Sequence, residues 1–239
     1  MAESLRLYKA KNRGQTKTPW LASWHSFNFN DFYDKGLNGF GALLVLNDDT
    51  IMPGKGFGMH GHSNMEIITI VLDGSLMHKD SMGHSETIEQ NEVQVMSAGT
   101  GIMHSESNNS DKTLNLLQIW IVPDKDNIAP RYAQEKLDMK SLNNKFQKIV
   151  EGKRHDEKHE RLYINQDASL SLGIFDKGEK ISHDIGDKHG MYVFVIKGKI
   201  YVNDNLLEEK DALGIYGIKH FFIICKEPSK ILLIEVPMK

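Results

Sequence analysis

At 239 residues, 40% hydrophobic and 26% charged, with a net charge of −3, the chain has the balance of a globular protein and material for one large domain or two ordinary ones. No basic tract points to a nucleic-acid partner, no stretch has the length of a membrane helix, and the polar N-terminus lacks the apolar region of a signal peptide. The single cysteine, Cys225, excludes an internal disulfide and fits a reducing compartment, so a cytoplasmic location is expected; inside the apolar run 221–225 it reads as a buried, inert thiol.

In chain order, the first feature is an aromatic cluster, Trp24, Phe27, Phe29 and Phe32, expected in the core. Positions 30–33 admit a single helical turn. Short runs rich in Val and Ile then recur at 41–46, 66–72, 93–96, 114–122, 170–175, 192–196 and 231–236, separated by glycine-containing turns. This is the pattern of an all-β sandwich or barrel. The segment 133–142 (AQEKLDMKSL) is rich in helix formers and predicts a short helix. It divides two strand-rich halves of similar grammar: EIITIVLDG at 66–74 reads like MYVFVIKG at 191–198, which suggests two copies of one fold. The expected division is 1–130, a linker at 131–145, and 146–239.

The histidines are grouped. His60 and His62 lie two apart, Glu66 four further on, and the pair His104 and Glu106 follows about 40 residues later. Side chains on a strand alternate faces. His60 and His62 therefore share a face, Glu66 joins them if the strand is unbroken, and His104 and Glu106 share another. Two such strands facing one interior converge three imidazoles and at least one carboxylate. That donor set suits Fe, Ni, Cu, Co, Mn or Zn, and the absence of thiolates argues against a closed structural zinc site. Elsewhere, His155 and His159 share a helix face in RHDEKHER but read as a solvated charged linker. His183, His189 and His220 have no HxH partner.

The stretches HSFNFNDFYD (25–34), GFGALLVLNDD (39–49), PGKGFGMHGHSNMEIITIVLDG (53–74), MHKDSMG (77–83), VQVMSAGTGIMHSESN (93–108) and LLQIWIVP (116–123) resemble the pirin family of the cupin superfamily. NQDASLSLG (165–173) and KGKIYVNDNLLEEKDAL (197–213) resemble the pirin C-terminal cupin more loosely. The resemblance implies an all-β bicupin of two stacked jelly-roll-type barrels. It implies one divalent metal, most often Fe(II), in the N-terminal barrel, with His60, His62, His104 and Glu106 as ligands, and a metal-free C-terminal barrel. It further implies a quercetin 2,3-dioxygenase-like activity: ring-opening of a flavonol by O2 with loss of carbon monoxide. Glu106 would serve as base, with Glu66 as the alternative; other cupins take their carboxylate ligand from the first of two conserved motifs, where Glu66 stands here, so Glu66 is also the alternative ligand. Some pirins are thought to act instead as metal- or redox-dependent regulators that bind a transcription factor or a metabolic enzyme, so a protein partner is a second expectation. Another cupin reaction, thiol dioxygenation or isomerisation, is a third.

The chain departs from the pirin pattern at Gly61, where proline is usual between the first two histidines, and at His84, Asn91 and Ser107. These positions bear on the shape of the pocket. His78 and the methionines Met59, Met65 and Met103 are further candidates to line it.

Overall fold

The structure is a computed structural model that describes residues 4–152 and 162–238. It contains no α-helix among those residues; its regular elements are β-strands and two short 3-10 turns. Four antiparallel-dominated sheets stack as outer, inner, inner, outer. In the N-terminal barrel the outer sheet runs Lys55–His62, Ile102–Asn108, Ser75–Asp80, Ser85–Glu89. Its inner sheet runs Arg131–Lys136, Glu92–Ser97, Glu66–Asp73, Leu114–Ile121, Leu43–Ile51, Leu21–His25, Gly14–Lys17.

The second barrel repeats this order. Its inner sheet runs Ser4–Tyr8, Ala212–Tyr216, His189–Lys197, Ser229–Pro237, Ser169–Phe175, Gln147–Gly152, Tyr163–Ile164, and its outer sheet Lys180–Asp184, His220–Cys225, Ile200–Val202, Asn205–Leu207. The first strand of the chain thus completes the second barrel: Ser4–Tyr8 pairs with Ala212–Tyr216. Asp211 fastens it, accepting from Lys9 Nζ at 2.7 Å and from the Ala10 N–H at 2.8 Å.

Alternation decides which residue goes where. On each inner sheet one face turns toward the other barrel, and those faces form a shared apolar core that includes Ile68, Val95, Leu117 and Ile119 from one side and Leu170, Leu172, Phe194 and Leu232 from the other. Burial of each such side chain contributes about 1.5–3 kcal/mol, so the two barrels are joined by a hydrophobic core rather than a polar linker. The opposite faces turn into the barrel interiors. The C-terminal interior is filled by aliphatic and aromatic side chains, with Cys225 among them. Burial pushes that thiol up to about 11, the inert state its apolar run predicts.

Two local expectations are corrected. The segment 133–142 is not a helix: Arg131–Lys136 is a strand paired with Glu92–Ser97, followed by a 3-10 turn over Met139–Leu142. Partner hydrogen bonds at the edge of the inner sheet outweigh helix propensity, a weak prior beside tertiary pairing. Nor is there a helical turn at 30–33. Phe29 and Phe32 exchange backbone hydrogen bonds across a tight reversal with Asn30 at φ 49°. Among the described residues no helix is long and apolar enough to cross a membrane. His155 and His159 lie outside the described residues.

Candidate metal centre

The site is built on two neighbouring outer strands. In the antiparallel register His104 lies opposite His60 and Ile102 opposite His62. An irregularity follows, so that Glu106 faces Phe57 rather than Gly58. Ordinary alternation leaves Met59 exposed beside the inward-facing His60. The three imidazoles converge: ring centroids are 4.3 Å apart for His60 and His104, and 5.0 Å for each of the other two pairs. Their donor atoms lie within 4.8 Å of one another, and so do those of His78, His104 and Glu106, a second group sharing His104.

The protonation states suit a cation. His60 Nδ1 donates to the Gly58 carbonyl at 2.8 Å, which leaves its Nε2 lone pair free, the usual arrangement behind a ligating histidine. Burial holds His104 down to about 3 and His62 down to about 4, with repulsion from His60 adding to both. Both rings are therefore neutral at pH 7. Both nitrogens of His104 are buried and have no hydrogen-bond partner among the described residues. A buried imidazole left so is costly, and a metal ion would satisfy one of the two nitrogens. Burial raises Glu106 to about 7, opposed by the Gln118 side chain, whose Nε2 donates to Oε1 at 3.2 Å and Oε2 at 3.1 Å. The residues present fit a divalent ion held by imidazole and carboxylate.

His78 is fully buried against His104 but does not line the cavity. Its Nε2 donates to Asp80 Oδ2 at 3.1 Å, and His84 Nδ1 approaches the same oxygen at 2.9 Å. Tyr132 stacks on both rings at 4.7 and 4.8 Å. Burial alone would raise Asp80, but its hydrogen bonds from His78, His84 and Met82 outweigh it and hold the carboxyl below its ordinary value. Asp80 thus fixes the orientation of a ring behind the cluster.

Glu66 is elsewhere. The chain crosses from outer to inner sheet between His62 and Glu66, with Asn64 at φ 48°, so the alternation that links His60 and His62 does not extend to it. Its carboxylate accepts from Ser97 Oγ at 2.8 Å and from Asn165 Nδ2 at 3.1 Å, a tie between the two barrels. The reading of Glu66 as an alternative base facing the substrate is corrected by this placement. None of the three methionines lines the cavity either: Met59 and Met103 are exposed, and Met65 packs against the Ile67–Met96–Ala98–Ile102 cluster. A Cβ at Gly61 would meet only the Sδ of the exposed Met103 side chain, at 3.0 Å, and nothing in the structure explains glycine there.

The three histidines and Glu106 open into a cavity of about 460 Å³, within the range of small-molecule sites. Trp20, Phe29, Phe57 and Trp120 form aromatic walls, and Ser23, Asn47 and Asp49 form a polar corner. Of the aromatic cluster, Phe29 is a wall of the cavity, Phe27 is core, Trp24 faces Lys17, and Phe32 lies over Gly14. Ser23 Oγ donates to Asp49 Oδ1. Thr16 Oγ1 donates to His25 Nε2 at 2.9 Å, and His25 Nδ1 donates to Asn47 Oδ1 at 2.9 Å. Burial raises Asp49 to about 7, the Ser23 bond opposes this, and Glu106 is close enough to add repulsion. Asn47, Asp49, Gln118 and Trp120 are functional candidates that the motif reading missed. The available signal was polarity: Asn47 and Asp49 are alternate residues of the strand LLVLNDDTI, and Gln118 interrupts LNLLQIWI.

A stacked pair of jelly-roll-type barrels with an imidazole–carboxylate cluster in one of them defines a bicupin. Residues 7–121 match the Pirin family model and residues 154–236 match the model described as the quercetinase C-terminal cupin domain. The chain is 39% identical, over 97% of its length and 98% of the relative's, to the quercetin 2,3-dioxygenase of Escherichia coli (strain K12). It is 37% identical, over 96% and 97%, to a putative quercetin 2,3-dioxygenase of Zymomonas mobilis. The crystal structure of bacterial pirin YhhW from Escherichia coli in complex with nickel(II) superposes with a TM-score of 0.92 at 38% identity, covering 99% of this chain and 100% of that one. The chain belongs to the pirin family.

Proposed function

We propose that this pirin is a metal-dependent dioxygenase that opens the heterocycle of a flavonol of the quercetin type with O2, releasing carbon monoxide. The observation that carries the reading is the convergence of His60, His62 and His104 at the mouth of an aromatic-walled cavity. We assign His60, His62, His104 and Glu106 as ligands of one divalent ion. Iron(II) is our first choice; nickel(II), which the Escherichia coli relative was crystallised with, suits the same nitrogen and oxygen donors. When bound, the ion supplies Lewis-acid and redox chemistry toward dioxygen.

The chain's own residues do the rest. Phe29 and Trp120, whose rings meet edge-on at 5.4 Å, offer flat apolar surface to a planar ring system and exclude water from it. Glu106, the buried carboxylate of the cluster, is placed to take the proton of the flavonol 3-hydroxyl as general base. Gln118 holds the carboxylate in place through both oxygens. His60 is oriented by the Gly58 carbonyl. We place the work of this protein in the cytoplasm, where its single buried thiol stays reduced. The C-terminal barrel we read as a metal-free support.

Quercetin consumption, followed by loss of its visible absorbance together with O2 uptake, tests the reading. Turnover is expected in protein loaded with iron(II) or nickel(II) and its loss on chelation. Absence of turnover with each of iron, nickel, manganese, cobalt, copper and zinc would overturn it.

A further inference from the structure

The polar corner of the cavity is left unexplained by the metal site. Asp49 is buried, yet only its Oδ1 is engaged, by Ser23; among the described residues Oδ2 has no hydrogen-bond partner. Asn47 is held by its carbonyl oxygen, which accepts from His25, and its amide Nδ2 has no partner among the described residues. Neither atom is sealed off from the cavity. The two residues are alternate positions of one strand, so an acceptor and a donor stand side by side on the cavity wall. Both are braced from behind, Asp49 by Ser23 and Asn47 by the relay from Thr16 through His25.

Burying a carboxylate with half its hydrogen-bonding capacity unused costs stability, and a purely structural acid would have both oxygens met. A ligand hydroxyl supplies what is missing. It donates to Asp49 and accepts from Asn47, as a phenol does and an ether or a bare ring cannot. We infer that Asp49 and Asn47 form a hydroxyl-recognition subsite that makes this cavity select polyhydroxylated aromatic ligands over ring systems lacking such groups. The inference rests on the reading that the cavity takes a flavonol. In a site built to hydrogen-bond a hydroxyl, an analogue lacking it leaves buried polar groups unpaired and is rejected strongly.

Quercetin and 3-hydroxyflavone share the 3-hydroxyl and 4-carbonyl, and differ in the remaining ring hydroxyls. Their affinities are measured on the metal-loaded protein without O2, by quenching of tryptophan fluorescence, since Trp20 and Trp120 line the cavity. The quantity read is the ratio of the two affinities, which cancels general damage to the pocket. Asp49→Ala is expected to lower that ratio by about tenfold or more, the usual worth of a hydrogen bond to a charged group. Ser23→Ala, which leaves Asp49 present but unbraced, should lower it less. Metal content and melting temperature are measured alongside; if Asp49→Ala does not fold, Asp49→Asn decides, with the same sign. A ratio that moves by less than about twofold in a folded Asp49 variant, while both flavonols bind, overturns the subsite and leaves the flavonol reading standing. Failure of the unmodified protein to bind either flavonol overturns both.

Discussion

The two barrels can be compared at the cluster positions, because strand order is shared and the pairings there correspond, although the irregularity between His104 and Glu106 has no counterpart in the second barrel. In the first, His104 lies opposite His60, and Glu106 lies opposite His78, four residues after Gly74. In the second, Phe221 lies opposite His183, and Ile223 lies opposite Val202, four residues after Gly198. Phe221 therefore takes the place of His104, Ile223 that of Glu106, Val202 that of His78, and His183 that of His60. Ile185, two residues past His183, takes the place of His62. Four of five polar positions have become apolar, and the barrel that carries them has a continuous interior core. The fold itself demands neither solution. A jelly-roll barrel is stable with a packed interior. The first barrel buries His104 and Asp49 with their hydrogen bonds incomplete, a local conflict of the kind found at functional sites.

The largest effect expected from this comparison is at His104. His104→Ala should take bound metal from about one ion per chain to near zero and abolish quercetin turnover, while circular dichroism still reports a β protein, because the hydrophobic clusters do not include that side chain. Elemental analysis is the test, and near-full occupancy would break the assignment. The matching change in the other barrel should act on stability alone. Phe221→Ala removes a fully buried ring and should cost about 3–5 kcal/mol, read from the urea midpoint, with metal content unchanged. Loss of a second ion in that variant would show that the two interiors differ less than their side chains indicate.

A smaller effect separates the two glutamates. Glu106→Gln should weaken the metal at least as much as the roughly 10–100-fold cost of disturbing an outer partner of a ligand. Glu66→Gln should keep the metal and lower stability by about 1–3 kcal/mol, because an amide cannot accept from both Ser97 and Asn165. Chelator competition and urea denaturation measure the two quantities. If Glu66→Gln strips the metal and Glu106→Gln retains it, the carboxylate ligand is Glu66.

These contrasts also show what sequence could convey. The period-two spacing of His60 with His62, and of His104 with Glu106, is a local property of strands, and the structure brings those faces together. The strand-rich halves and their glycine turns were legible for the same reason; Gly99, at φ +47° with the Ile128 carbonyl 2.1 Å from where a Cβ would stand, is one that no other residue could replace without strain. Glu66 was misplaced because the crossing at 63–65 resets the alternation, and nothing in GHSNME marks where the sheet ends. Residues 133–136 read as helix because propensity is local, whereas their pairing with Glu92–Ser97 is not. The exchange of Ser4–Tyr8 into the distant barrel depends on a pairing more than 200 residues away, which no window of sequence can contain. Asn47, Asp49 and Gln118 were visible only as polar residues inside apolar strands.

The smallest expected effect concerns His183, the one ligand-position histidine kept in the second barrel. Its ring lies 5.8 Å from that of Phe146 and 5.7 Å from that of Phe221. Burial lowers its pKa; Glu235 and Asp184 oppose this and Lys148 adds to it. A base whose folded value lies below its unfolded value of about 6.5 binds its proton more readily in the unfolded chain. Unfolding then takes up a proton as pH falls through that unfolded value, so the folded state loses stability on the acid side and regains it above. His183→Ala removes this contribution. Comparing urea midpoints at pH 7.5 and pH 5.5 in chelator-treated protein, the drop on acidification should be smaller in the variant than in the parent. Subtraction cancels His25, His62, His78 and His104, which burial also lowers, and Asp49 and Glu106, which it raises. In protein loaded with metal, His183→Ala should leave about one ion per chain. An equal drop in parent and variant would mean that His183 is solvated in the folded state, and a loss of metal would place an ion in the barrel that its apolar neighbours argue against.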